Sequence, residues 1–182
     1  QDISGWDMSN VLQMDSVFYN ATSFNQDING WNVSAATSMY NTFTNATSFN
    51  QNLGGWDVSN VLYMLGMLDD CGIDQNNYDN ILIGWCALTL TNGVQLGVSG
   101  MTYSDDPCPA YSARTYMISN LAWGFFGDSA GTCIPPTPTN TPTPTVTPTI
   151  TNTQSLTPTN TSTNTSTPTS TPTNTSTPSS TP

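Results

Sequence analysis

Few kinds of side chain in this sequence could do chemistry. There are four cysteines, Cys71, Cys86, Cys108 and Cys133, twelve aspartates and one arginine, Arg114, with no lysine, glutamate or histidine. Without histidine the usual general base is missing, and no serine or cysteine sits in a nucleophile motif. The acidic pairs Asp69-Asp70 and Asp105-Asp106 lie in turn-like contexts. Aspartates alone would suit a two-carboxylate glycosidase, which nothing else in the sequence supports. A protein that is not an enzyme is expected. No cysteine lies in a CxxC pair, so zinc-site spacing is absent and the cysteines read as a disulfide framework in an oxidising compartment. Three connectivities are open. Cys71–Cys86 with Cys108–Cys133 is expected, because each bridge then stays within one structural segment.

The aspartates recur at a fixed step. Asp2, Asp27 and Asn52 form one column, and Asp7, Asn32 and Asp57 form another, each member 25 residues after the last. In stacked strands such residues lie about 4.7–5 Å apart. A calcium ion could bridge Asp2 and Asp27, but there is neither EF-hand spacing nor a closed set of oxygen ligands. No cofactor is therefore expected, and the plainer role is Asx side chains bonding turn backbone. If the chain binds a ligand, the face around Asp7, Asn32 and Asp57 is the candidate.

These columns belong to three copies of one unit, residues 1–25, 26–50 and 51–75. Gly5, Gly30 and Gly55 align, as do Trp6, Trp31 and Trp56, and Met14, Met39 and Met64. Phe18, Phe43 and Leu68 continue the series, with Ala21, Ala46 and Cys71. A constant step marks units that bury their apolar faces only against their neighbours. In each unit "QDISGWDMS" reads as a short strand with a turn at Ser4-Gly5. "NVLQMDSVFYNA" reads as about one helical turn, with Val11, Met14, Phe18 and Ala21 at helical spacing. The expected fold class is an α+β repeat solenoid, leucine-rich-repeat-like, with aromatic and methionine columns as its core.

The wording "SFNQDINGWNVSAATSMYNTF" and "GWDVSNVLYMLGML" resembles the BspA-like leucine-rich-repeat surface proteins. Their repeats carry a W-D-V-S-N-V core followed by a Met-x-x-Met-Phe turn. The likeness covers residues 1–75 closely and departs at Ala35-Ala36, where Asn-Val is usual. It implies an extracellular or cell-surface setting, non-enzymatic roles and frequent adhesion, and supplies no binding residues.

Residues 76–134 break the period. "NNYDNILIGWCAL" predicts a helix burying Tyr78, Ile81, Leu82 and Trp85. "GVQLGVSG" predicts a strand. A second helix is expected from near Pro109, with Tyr116, Met117, Asn120 and Leu121 on one face, and then a strand and turn in "GFFGDSAGTC". This segment reads as a disulfide-stapled α/β C-terminal cap. Arg114 is expected to pair with a nearby aspartate.

Residues 135–182 contain almost nothing apolar and read as an extended mucin-like Thr/Pro/Ser tail. The candidate O-glycosylation sites alternate along it: Thr137, Thr139, Thr141, Thr143, Thr145, Thr147, Thr149, Thr151, Thr153, Thr157, Thr159, Thr161, Thr163, Thr165, Thr167, Thr169, Thr171, Thr173, Thr175 and Thr177. At about 3.1 Å per residue in polyproline II, this tail reaches roughly 150 Å. Asn20 and Asn45 are candidate N-glycosylation sites in one repeat column, occupied or spared together by geometry.

The net charge of −11 argues against nucleic acid and against an anionic membrane surface. No run approaches the roughly 20 apolar residues of a membrane span. Gln1 is no translational start, so the chain is expected to be processed or excised from something longer, and its first repeat begins partway through the phrase. Two functions are expected. The first is the self-assembling subunit of an extracellular glycosylated fibre, a homopolymer of copies stacked head-to-tail with the glycan-bearing tail ordered along it. The second is a surface adhesin held off the cell on a glycosylated stalk.

Overall fold

The computed structural model describes residues 1–133. The tail and its threonines lie outside them. The described residues belong to one compact unit.

Residues 1–75 stack as three coils joined by parallel bridges, Gln13 to Ser38 and Ser38 to Tyr63. Between coils 1 and 2 the N–H groups of Met14, Ser16, Phe18 and Asn20 donate to the carbonyls of Ser38, Tyr40, Thr42 and Thr44. Between coils 2 and 3 those of Met39, Asn41, Phe43 and Asn45 donate to Tyr63, Leu65, Met67 and Asp69. The ladder therefore runs through the half of the unit expected to be a helical turn. The half expected to be a strand is a pair of turns.

Backbone geometry explains the exchange. In coil 1 every second N–H crosses to the next coil, while those of Val17, Tyr19 and Ala21 bond three residues back. This zigzag requires left-handed residues at fixed positions. They fall in two columns, Ser16/Asn41/Gly66 and Asn20/Asn45/Asp70, with φ from 51° to 72°. Asn, Asp and Gly tolerate that region, and residues held there cannot continue a right-handed helix. In the first half, Asx side chains capture nearby N–H groups and turn the chain before a strand can extend.

Met14, Met39 and Met64 are fully buried, as are Phe43 and Leu68. The indoles of Trp31 and Trp56 donate to the carbonyls of Ile3 and Ile28 one coil earlier, at 3.0 and 3.1 Å.

The stack changes step after residue 75 but does not stop. Helix α1, Gln75–Cys86, is capped by Asp74, whose side chain accepts from Asn77 N–H. It buries Tyr78, Asp79, Ile81, Leu82 and Trp85. Trp85 donates to Leu53 at 3.0 Å and so takes the place of Trp56 one coil on. Strand β1, Gln95–Gly97, follows Met64 in the ladder through a bridge at Leu96. Beyond β2, Thr102–Ser104, and helix α2, Pro109–Leu121, strand β3, Gly124–Phe126, pairs in parallel with β1. Strand β4, Ser129–Gly131, pairs in parallel with β2. Helix α2 buries Ala110, Ala113 and, of the expected face, Met117, while Tyr116 stands 48% exposed. The small alanines let α2 lie close against α1. Among the described residues no helix is long and apolar enough to cross a membrane.

Helix α1 lies backbone-to-backbone on coil 3. A Cβ on Gly84 would stand 2.2 Å from the Gly54 carbonyl oxygen. Gly84→Ala is expected to cost about 1–3 kcal/mol through this overlap, read as a lowered urea midpoint at unchanged slope. A neutral outcome would mean that the helix can lift off the coil.

Candidate functional site

The aspartate columns are used locally. Asp7, Asn32 and Asp57 each accept the N–H of the serine two residues on, at 3.0–3.2 Å, and Asp7 and Asn32 also accept that serine's hydroxyl. Asp2, Asp27 and Asn52 do the same for Ser4, Asn29 and Gly54. The serine hydroxyl and N–H hold the Asp7 carboxyl below the usual range, and the Ser4 N–H does so for Asp2. All six side chains are exposed, but they close turns and lie outside the ladder. Among the described residues no three acidic or cysteine side chains converge to hold a metal.

Asn20 and Asn45 form a side-chain ladder, with Asn45 Nδ2 donating to Asn20 Oδ1 at 2.9 Å. The amide nitrogen of Asn45 is thus committed to its neighbour. That of Asn20 has no such bond among the described residues.

The cysteines divide. Cys108, the N-cap of α2, pairs with Cys133 just after β4. Cys71 and Cys86 are free thiols, which corrects the expected bridge between them. Their places in the coil account for this. Cys71 N–H bonds Leu68 as Ala46 bonds Phe43, so Cys71 belongs to the alanine column. Cys86 follows Trp85 and takes the position that Asp57 holds one coil earlier. Burial pushes the Cys71 thiol from 9.0 up to about 11, and burial also raises that of half-buried Cys86. Native-state alkylation at pH 8 is expected to label Cys86 well before Cys71. Because its pKa is raised by folding, Cys71 contributes stability that is present below pH 9 and lost as pH rises through about 11. Equal labelling rates would overturn this placement.

Arg114 is paired as expected. Its Nε and Nη2 donate to the two oxygens of Asp128 at 2.8 Å each, and Tyr78 Oη donates to Asp128 at 2.9 Å. The guanidinium lies 4.6 Å from the Tyr103 ring centre and 4.8 Å from that of Phe125. Burial opposes its charge, but the bonds to Asp128 outweigh this and raise its pKa. Burial likewise pushes Tyr78 well up. This cluster ties α1, α2 and the strands together.

The surface most suited to recognition lies along the ladder. The columns beside the buried methionines carry Gln13/Ser38/Tyr63 and Asp15/Tyr40/Leu65, flanked by Leu12 and Leu62; of these Ser38 is buried. Tyr63 is 64% exposed, and Tyr40, Leu62 and Leu65 are 44–49% exposed. One shallow depression of about 370 Å³ is lined by Gln13, Asp15, Thr37, Ser38, Tyr40 and Tyr63. A second of about 380 Å³ continues from the same tyrosines past Leu62 and Leu65 to Gln95. Sequence reasoning placed its candidate ligand face around Asp7, Asn32 and Asp57, which lie in the turns, and did not single out this row. The available signal was contrast between adjacent columns: Met14/Met39/Met64 repeats a single residue type, while the columns on either side change character in every copy.

No curated protein and no solved structure gives a significant match to the chain. A family model described as "Mycoplasma protein of unknown function, DUF285" matches residues 1–82, which take in all three coils and the start of α1.

Proposed function

We propose that this chain is a non-enzymatic extracellular module: a leucine-rich-repeat-like solenoid that presents a binding face at the cell surface, followed in the chain by an O-glycosylated Thr/Pro stalk. The observation that carries this reading is the row of exposed tyrosine and leucine side chains on the ladder face. Contiguous exposed aromatic and aliphatic groups mark interaction sites on otherwise polar surfaces. The repeat's resemblance to BspA-like proteins supports the surface setting, and the family match covers the same repeats, residues 1–82. The test is saturable capture by the full chain on protein and glycan arrays, compared with a Tyr40→Ala/Tyr63→Ala variant of unchanged melting temperature. Binding that survives both substitutions would remove the ladder face from the proposal.

A second reading, the self-assembling fibre, is favoured by one feature. The carbonyls of Gln13, Asp15, Val17 and Tyr19 receive no bond among the described residues. They stand 25 residues before the carbonyls of Ser38, Tyr40, Thr42 and Thr44, which in coil 2 accept the N–H groups of coil 1. This edge suits a further coil, from the same chain or from another copy. Electron microscopy of purified protein decides between them, and discrete particles at high concentration would sink the fibre.

A further inference from the structure

Resting on the binding-face reading above, we infer that the occupant of the ladder face is a basic protein segment, one that inserts an arginine or lysine side chain between Asp15, Tyr40 and Tyr63. Three observations converge on this chemistry.

The first is charge. Arg114 is the only positively charged side chain in a chain of net charge −11, and its guanidinium is bound to Asp128. The field outside the protein is therefore negative. It repels sulfated or phosphorylated ligands and steers cationic ones toward the surface.

The second is the make-up of the depression. Asp15 Oδ1 accepts the Ser38 hydroxyl and, at 3.0 Å, the Tyr40 N–H, which fixes the carboxylate beside the tyrosines. Its Oδ2 accepts nothing from the described residues. A fixed carboxylate oxygen next to exposed aromatic rings suits an ammonium or guanidinium group, which takes a charge-assisted hydrogen bond from the acid and a cation–π contact from the ring. Leu62 and Leu65, in the adjoining depression, offer aliphatic surface to the stem of such a side chain.

The third is internal. The protein holds its own arginine with the same kit, one carboxylate and two aromatic rings: Asp128, Tyr103 and Phe125. Asp15, Tyr40 and Tyr63 bring that kit together at the surface. With no second arginine and no lysine in the chain, the cation must come from another molecule.

The experiment uses the full chain and a fluorescein-labelled peptide of alternating arginine and leucine, followed by anisotropy at 50 and 200 mM salt. A peptide with glutamine in place of arginine and an array of neutral glycans run beside it. Asp15→Asn keeps the Oδ1 acceptor and is expected to weaken the arginine peptide about tenfold, in line with loss of a charge-assisted hydrogen bond. Tyr40→Ala is expected to weaken it about threefold, with Tyr40→Phe restoring binding. Asp106→Asn removes the same charge from an exposed turn elsewhere and is expected to change affinity less than twofold. Circular dichroism melts confirm that each variant folds. Equal losses for Asp15→Asn and Asp106→Asn would reduce the effect to general charge attraction and overturn the inference. Capture of a neutral glycan dependent on Tyr40, with no preference for the arginine peptide, would overturn the basic partner and leave the binding face standing. No saturable binding by any of these probes that depends on Tyr40 or Tyr63 would overturn both.

Discussion

Asp128→Ala is expected to lower stability by about 3–5 kcal/mol, the usual cost of leaving one partner of a buried ion pair behind. The Asp128 side chain is 1% exposed, and its removal strands the Arg114 guanidinium between two rings and deprives Tyr78 of its acceptor. The cost comes from the orphaned groups rather than from the net worth of the pair. The double variant Arg114→Met/Asp128→Leu is accordingly expected to recover most of the loss, since apolar groups of similar size can replace a buried pair at little cost. Urea melts of the two variants test this directly. A single-variant loss below about 1 kcal/mol would show that water reaches the guanidinium and screens it.

Trp56→Ala is expected to cost about 3–5 kcal/mol as well, for a different reason. Trp56 is fully buried, stacks on Trp31 at 6.4 Å with the rings 9° from parallel, and lies 6.1 Å from Phe43. Its indole also satisfies the Ile28 carbonyl. Removal opens a cavity between coils 2 and 3 and breaks the nearest-neighbour contact on which stacked units depend. Trp6 offers the comparison: it stacks on Trp31 at 6.2 Å but is 51% exposed, so Trp6→Ala is expected to cost about 1 kcal/mol. Far-ultraviolet circular dichroism reads both without relying on tryptophan fluorescence. Similar losses at the two positions would mean that the column is not graded from edge to centre.

Legibility in the sequence followed the kind of interaction. The core columns could be read, because burial repeats the same apolar type at the same step: Met14, Met39 and Met64 are the clearest case. The helix at Gln75–Cys86 was legible through the apolar spacing of Tyr78, Ile81, Leu82 and Trp85. The placement of the ladder within the unit was not. Val11, Met14, Phe18 and Ala21 keep helical spacing, yet Ser16 and Asn20 take left-handed conformations that such spacing cannot reveal. The columns Ser16/Asn41/Gly66 and Asn20/Asn45/Asp70 held the corrective hint, since Asn, Gly and Asp recur where the chain must reverse. The proposed binding face was illegible for a related reason. Its side chains point outward only once the ladder is in its observed register, and Tyr40 and Tyr63 sit in different columns, so no single alignment position brings them together. The pairing of Cys71 with Cys86 assumed that each bridge stays within one structural segment, which says little about which side of a coil each residue occupies.

The ladder has a direction, because from Met14 to Asn20 and from Met39 to Asn45 every second N–H donates to the coil that follows. Coil 2 gives to coil 3 from Met39, Asn41, Phe43 and Asn45 in the register in which coil 1 gives to coil 2, and Trp56 reaches Ile28 as Trp31 reaches Ile3. A copy of residues 26–50 inserted in frame would therefore meet matching donors below and matching acceptors above. Gene duplication in whole units of this kind can lengthen the molecule without redesigning its interior. Each added copy would widen the outer surface by one row whose residues are free to vary, so recognition can diversify while the scaffold stays the same.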